Sequence, residues 1–535
     1  MKYYCIALLS VLSLASSHAQ SSLAVTKLGQ FTYLEKINDV WGWEDQGREY
    51  ALVGVENGLS IVEISNPTNP VEKLFVPGAI STWRDMKTYQ NYGYAVHDLF
   101  SGSSDGILVV DLSTLDNQFP SYWNRLPTID YNGQQMLFQR GHNIYVDENG
   151  YLYVFGSNIG NGGALIFDLK PDPTNPTYVG MFDQYYLHDG VARGDTLWGA
   201  AVTSGFFSAI NVNSKINPTE LGRKNTPSGV SHNVWFSDDN QRVFTTDEVR
   251  AAWIAEYDVS DLSNITELDR IKTSFGPNVV PHNAHFHNNF LVNSYYTSGL
   301  QIVDVSVPGI MVETAYYDTS PASGSGFSGA WGAYPYLPSG RILASDREQG
   351  LFILSSTYPR ASFLVATVLN STNNSALSNA RIKFLNGDID ANTSIFGIVR
   401  EGQAQAGTFD VEVSKSGFIT DTFQVNLTAG QVNNVQFPLR PVNVGMAELT
   451  PVLEAAKLFP TAVETGGGVT LQVGELLNQD LLYRIYNAKG AQVKMGTLNA
   501  AQKEHFIGID FQSGLYFLKL STAKGHSRNF KLLVR

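Results

Sequence analysis

The stretch Gly299-Leu300-Gln301-Ile302-Val303-Asp304-Val305-Ser306 decides the fold. A small residue opens it, an apolar alternating run follows, and an acidic residue with a turn closes it, which is the pattern of a short strand. The same figure recurs at Gly58–Ser65, Gly106–Ser113, Gly163–Lys170, Phe206–Asn213, Trp253–Ser260 and Gly350–Ser356. Neighbouring Gly-led copies start 48, 57 and 51 residues apart. Self-similarity at this period, with room for four short strands in each copy, predicts a seven-bladed β-propeller over residues 20–358.

The fifth repeat shows all four pieces. Ser231–Ser237 reads as the inner strand, Arg242–Asp247 as the second, Trp253–Ser260 as the third and Ile265–Lys272 as the outer one. Turns such as Asn66–Pro70 and Asp172–Pro176 separate strands three and four, where proline withholds a donor from the ladder. The last repeat lacks an outer strand. Ala24–Phe31 resembles the outer segments Pro176–Phe182 and Pro218–Arg223, so it is expected to complete the seventh blade and remove a bare sheet edge.

The recurring Leu-x-Ile-Val-Asp-Val-Ser core resembles the LVIVD repeat, and Ala24 to Tyr358 resembles the choice-of-anchor B family of bacterial surface propellers. That resemblance implies export and anchoring and names no reaction. Residues 361–440 read as a small β-sandwich with strands at Phe363–Leu369, Ala380–Leu385, Thr408–Val413 and Asn434–Leu439. Within it, Gly407–Phe418 resembles carboxypeptidase regulatory-like domains, implying a spacer or adhesion-like module. A linker is expected over 441–456. Leu458–Thr461, Tyr483–Gly490, Ser513–Lys519 and Phe530–Arg535 make residues 457–535 resemble the C-terminal sorting domain of type IX secretion. One departure is Thr461, where that family usually carries Asn. The expected class is therefore all-β: a propeller followed by two small Ig-like sandwiches.

Composition agrees. The 535 residues are 43% hydrophobic and only 16% charged, which excludes an intrinsically disordered chain. The net charge of −13 is concentrated in the first 359 residues and argues against nucleic acid or an anionic membrane as partner. Residues 1–19 read as a signal peptide, with Lys2, the apolar Ile6–Ala15 and the small-x-small site Ser17-His18-Ala19. The apolar run is too short for a membrane span. The only cysteine, Cys5, lies in that leader, so disulfides and thiolate zinc sites are excluded from the mature chain. A secreted or outer-membrane surface location, reached through the periplasm by the type IX machinery, is the expectation.

Candidate chemistry sits at the starts of the inner strands. His142-Asn143, His188-Asp189, His232-Asn233 and His282-Asn283 occupy equivalent positions, with Arg84-Asp85, Asn38-Asp39 and Ala330-Trp331 in the other repeats. The second strands end on the same face with His97-Asp98, Asp247-Glu248 and Asp346-Arg347-Glu348. Two readings stay open. Such pairs commonly tie neighbouring strands together by hydrogen bonds. Alternatively His142, His188, His232 and His282, with Asp85, Asp189, Asp247, Glu248, Asp346 and Arg347, form a polar channel mouth. That mouth could bind a divalent metal through the four imidazoles, or serve a metal-assisted lyase or hydrolase on a polysaccharide or peptide. No cofactor is established by the sequence and no catalytic residue is singled out. A binding scaffold for an extracellular glycan or protein is the primary expectation, the enzyme its rival. Trp41, Trp43, Trp83, Trp235 and Trp331 are expected to wedge blades together, and His285 and His287 to extend the sixth repeat's cluster or face solvent.

Overall fold

The computed structural model describes residues 21–98, 105–273, 275–276, 278–442, 451–474, 480–499, 501–522 and 525–535. The signal-peptide expectation lies outside them. Strands dominate; among the described residues the only helical pieces are Leu112–Thr114 and Pro451–Ala455, and no helix is long and apolar enough to cross a membrane. The chain divides into two compact units, one comprising the propeller and the two sheets after it, the other Gly417–Ile419 with Arg440–Arg535.

Through Ser356 the first unit is a β-propeller. Six antiparallel sheets of four strands and one of five are built from the described residues. Their innermost strands are Ile37–Asp45, Trp83–Tyr89, Asn143–Val146, Asp189–Arg193, Ser231–Phe236, Ala284–His287 and Ala330–Tyr334. Each packs on the next, and the last packs back on the first. The outer strand of the seventh sheet is Val25–Phe31, antiparallel to Gly350–Ser356. Just before it, Ser22–Leu23 adds a fifth strand to the sixth sheet, so the head of the described chain straddles two sheets. A hairpin, Thr128–Tyr131 with Gln134–Leu137, follows the second sheet.

The repeat motif explains itself in the third strands. Leu300 and Ile302 are fully buried, and so are Asp304 and Val305, because each sheet is covered on both faces by its neighbours. Each such aliphatic side chain contributes about 2–3 kcal/mol. The closing Asp or Asn builds an Asx-turn: Asp111, Asp168, Asn211, Asp258 and Asp304 each accept a backbone N–H two residues on, at 2.9–3.1 Å. The opening glycine is steric. A Cβ on Gly299, whose φ is +72°, would lie 2.2 Å from the Tyr317 carbonyl oxygen of the outer strand. Outer strands carry a second glycine at a bulge. Gly29, Gly180 and Gly222 abut the carbonyls of Pro67, Lys215 and Leu262, each in the following repeat. Val25–Phe31 therefore docks as the other outer strands do.

After the propeller, one sheet pairs Ser362–Asn370 with Ile398–Gln403 and Val432–Leu439, and another joins Asp390–Asn392, Arg381–Phe384, Gly407–Ser414 and Asp421–Leu427. Ala361 and Phe363 are buried against Ile310 and Val312 of the sixth propeller sheet. Asp304 anchors the join, accepting from Ala361 N at 2.9 Å and Arg360 at 3.1 Å.

The second unit has a three-stranded and a five-stranded sheet around Val469, Leu471, Ile485, Leu518 and Leu532. The end of the expected linker is part of this core: Pro451–Ala455 is one helical turn, and Leu453 and Ala456 are fully buried. Leu453 and Ala456 stand three residues apart, the spacing that puts side chains on one face of a helical turn, which is why this stretch packs.

Candidate functional site

The inner strands surround a channel lined in layers. At one mouth His142, His188, His232 and His282 follow one another around the ring, with successive centroids 4.0, 4.3 and 4.4 Å apart and Trp331 next at 4.7 Å. In the fifth sheet a bulge between Ser231 and Asn233 turns two consecutive side chains toward the channel, so His232 and Asn233 both line it. Elsewhere the histidine precedes the first ladder residue, as His142 and His188 do.

The imidazoles have different partners. His232 Nδ1 lies 3.2 Å from the His282 carbonyl, and His282 Nδ1 lies 2.5 Å from the Trp331 carbonyl. A carbonyl only accepts, so both Nδ1 atoms carry the proton and both Nε2 atoms present a lone pair. Those Nε2 atoms face one carboxylate, Glu248, at 3.6 and 3.9 Å. The Tyr296 hydroxyl donates to the same carboxylate from a residue held at φ +33°. Burial holds His232 below the ordinary imidazole range against the pull of Glu248. Burial and then neighbouring imidazoles hold His188 and His282 well below it. His188 Nδ1 has no hydrogen-bond partner. His142 is separate, its Nδ1 3.0 Å from Asp98, which also pairs with Arg140. Although burial pushes Asp98 up, its interactions with His142 and Arg140 hold it below the usual carboxylate range. The recess inside the ring is about 20 Å³, room for one water or one ion.

Below lies a belt of Asp39, Asp85, Asn143, Asp189, Asn233 and Asn283. Gly332 takes the seventh place because a Cβ there would meet Asp39 Oδ1 at 2.0 Å. This belt stitches sheets together. Asp85 accepts Ile144 N at 2.9 Å, Asn233 accepts Ala284 N at 3.0 Å, and Asp189 accepts from Asn143 and Asn233. Burial, then Asp85, pushes Asp189 up to about 7 and Asp39 well above the usual range. Lys87 pairs with Asp85 at 2.7 Å.

The far end is aromatic. Trp41, Tyr145, Arg193, Trp235, Phe236, Phe286, Tyr334 and Tyr336 line a cup of about 260 Å³. Trp235 and Tyr336 are stacked at 6.1 Å, and Trp41 meets Tyr334 edge-on at 4.7 Å. Arg193 lies over Phe236 at 3.9 Å, held by the Ser237 and Asp238 carbonyls. His285 sits at the floor, buried against Trp235 at 4.5 Å, with neither ring nitrogen hydrogen-bonded.

The structure thus brings His142, His188, His232, His282, Asp85 and Asp189 to one channel, with Glu248 beside two of the histidines. Asp247 and Asp346 are not brought there. Asp247 is taken up by Thr226, Ser228 N and Val230 N, and Asp346 by Thr319, Glu348 N and Gln349 N, so both staple their own loops. Arg347 lies over Trp331 at 5.0 Å and donates to the Phe327 carbonyl. His285 faces the channel interior rather than solvent. Of the tryptophans, Trp43 does wedge, donating to Gln90 O and packing on Tyr50, whereas Trp41 and Trp235 line the cup. Among the described residues, His232, Glu248 and His282 form the one group whose donor atoms could converge on a metal, all within 4.8 Å of one another.

Residues 48–76 and 296–319 match the model of the LVIVD repeat. Two stretches of the propeller thus carry the LVIVD repeat. No curated protein matches it. Among solved structures it is similar to the Cps50 (Swd1) β-propeller domain of Myceliophteria thermophila, at 12% identity over 62% of this chain and 100% of that one, TM-score 0.43. It is also similar to U3-55K, at 8% identity over 62% of this chain and 98% of that one, TM-score 0.42. Likeness at that level carries nothing further, and the strand pairings stand by themselves.

Proposed function

We propose that this LVIVD-repeat protein is an exported binding scaffold whose seven-bladed propeller holds a sugar residue of an extracellular glycan in its aromatic cup. The observation that carries this reading is the cup itself: about 260 Å³, concave and ringed by Trp41, Tyr145, Trp235, Tyr334 and Tyr336. Ligand pockets begin near 300 Å³, so this one suits a single ring rather than a folded partner. Flat aromatic faces suit the apolar faces of pyranose rings. Arg193 is the one charged lining residue, which favours a neutral or acidic sugar over a cationic ligand.

In this reading the two modules after the propeller serve delivery. The sheets of 361–440 act as a carboxypeptidase-regulatory-like spacer, and 457–535 as a type IX sorting domain, consistent with a choice-of-anchor B surface protein. The rival enzyme reading has less support, since a 20 Å³ recess at the imidazole mouth admits no sugar ring.

The test is retention of the mature chain on a panel of immobilised neutral and acidic polysaccharides. Wild type is expected to be retained by at least one, and Trp235→Ala and Tyr145→Ala to weaken that at least about tenfold, since stacked aromatic contacts are worth on the order of 1 kcal/mol each beyond burial. Absence of retention, or retention untouched by both substitutions, refutes the reading.

A further inference from the structure

We infer that His232, Glu248 and His282 form a binding site for one divalent zinc-class ion at the imidazole mouth of the channel. Three observations point there. First, both imidazoles have their Nδ1–H committed to a backbone carbonyl, His232 to residue 282 and His282 to residue 331. This is the outer arrangement by which proteins fix the tautomer and aim a metal-binding Nε2. Second, the distances fit. Bonds of 2.0–2.1 Å to a tetrahedral zinc place its donors about 3.4 Å apart. The two Nε2 atoms stand 3.6 and 3.9 Å from the two oxygens of Glu248, and the three donor atoms all lie within 4.8 Å of one another, so an ion would draw them together from a spacing already close to that. Third, no proton accounts for the arrangement as well. Two lone pairs face a carboxylate beyond hydrogen-bonding distance, and both histidines are nearly inaccessible, at 3% and 2% exposure. Three electron-rich groups turned toward one point suit a cation between them.

The surroundings are shaped to the same end. Tyr296 fixes the carboxylate through its hydroxyl, and its backbone is held at φ +33°, a strained conformation of the kind that gathers at functional sites. Two imidazoles with one carboxylate is the donor set of zinc centres that keep a fourth position for water. His142 is not part of the set, because it does not bring a ring nitrogen within 4.8 Å of all three of these donor atoms. The site stands apart from the aromatic cup and does not depend on what that cup binds.

The experiment uses the mature, untagged chain with zinc or cobalt as the probe. After equilibration with Zn²⁺ and desalting, metal analysis is expected to find one ion per chain. Glu248→Gln and His282→Ala should each weaken retention at least 100-fold, while Tyr296→Phe, a change to a positioning residue, weakens it about 10–100-fold. Tryptophan emission checks that each variant is folded. Cobalt on wild type gives a second readout: two exchangeable, paramagnetically shifted imidazole N–H signals, one from each Nδ1–H. No retained metal, full retention by folded Glu248→Gln and His282→Ala, or a cobalt spectrum without the two N–H signals would each overturn the assignment. Loss of glycan retention with metal binding intact would strike only the proposed function.

Discussion

Substituting His285 by Phe should make the propeller more resistant to acid. His285 is 5% exposed, lies between Trp41, Trp235 and Tyr336, and leaves both ring nitrogens unsatisfied. Burial, then the Lys87 ammonium, pushes its pKa down to about 3. An unfolded histidine titrates near 6.5. Between these values the unfolded chain binds a proton that the folded chain refuses, so the folded state loses stability as pH falls below about 6.5. At pH 5 the loss is about 2 kcal/mol, set by the unfolded imidazole because the folded one stays neutral there. At pH 7 it is close to zero. Phe keeps the aromatic contact, projects into the channel rather than a filled interior, and has nothing to protonate. All eight tryptophans lie between residues 41 and 331, so urea unfolding followed by their emission reports the propeller alone. From pH 7 to pH 5, wild type should lose about 2 kcal/mol more than His285→Phe. Equal losses would refute the claim that this imidazole is buried and neutral.

Other expectations follow from the same geometry. Gly29→Ala puts a Cβ 1.6 Å from the Pro67 carbonyl oxygen, and should cost about 1–3 kcal/mol while exposing the N-terminal strand to limited proteolysis. An unchanged melting temperature would show that Val25–Phe31 does not dock there. Asp189, raised to about 7, binds its proton more readily folded than unfolded, so its contribution falls as pH climbs from about 4 to 7. Asp189→Asn should flatten that decline, by up to roughly 4 kcal/mol in paired denaturation curves. Glu256→Gln breaks the buried pair with Arg242, 2.7 Å apart and 0% and 8% exposed, and should cost about 3–5 kcal/mol by urea midpoint. Residues 441–535 fused to a reporter should be carried across the outer membrane in a bacterium with type IX secretion; retention in the periplasm would contradict the sorting role.

Much of the propeller was legible because its physics is local and copied. Gly299 and Asp304 play the parts of Gly106 and Asp111: a glycine against an outer-strand carbonyl and an aspartate closing an Asx-turn. The histidine ring was legible for the same reason, since equivalent positions in repeats meet at one height. The cup was legible only in part. Trp41, Tyr145, Trp235 and Tyr334 each follow a belt residue by two, the strand period that returns to the same face, but Arg193, Phe286 and Tyr336 join them only through packing. Glu248 is legible as a strand-end acid, yet its partner Tyr296 comes from another repeat's turn, and only packing joins them. Asp247 and Asp346 looked identical to it in sequence, but short loops returning to them supply donors that turn both carboxylates inward.

The most direct measurement is the tryptophan emission of wild type titrated with the best-retained oligosaccharide, because Trp41 and Trp235 line the cup. Occupation there predicts a saturable shift at one ligand per chain that vanishes in the double variant Trp41→Phe, Trp235→Phe. Saturable binding with unaltered emission, or a shift that persists in the double variant, would place the ligand elsewhere on the molecule.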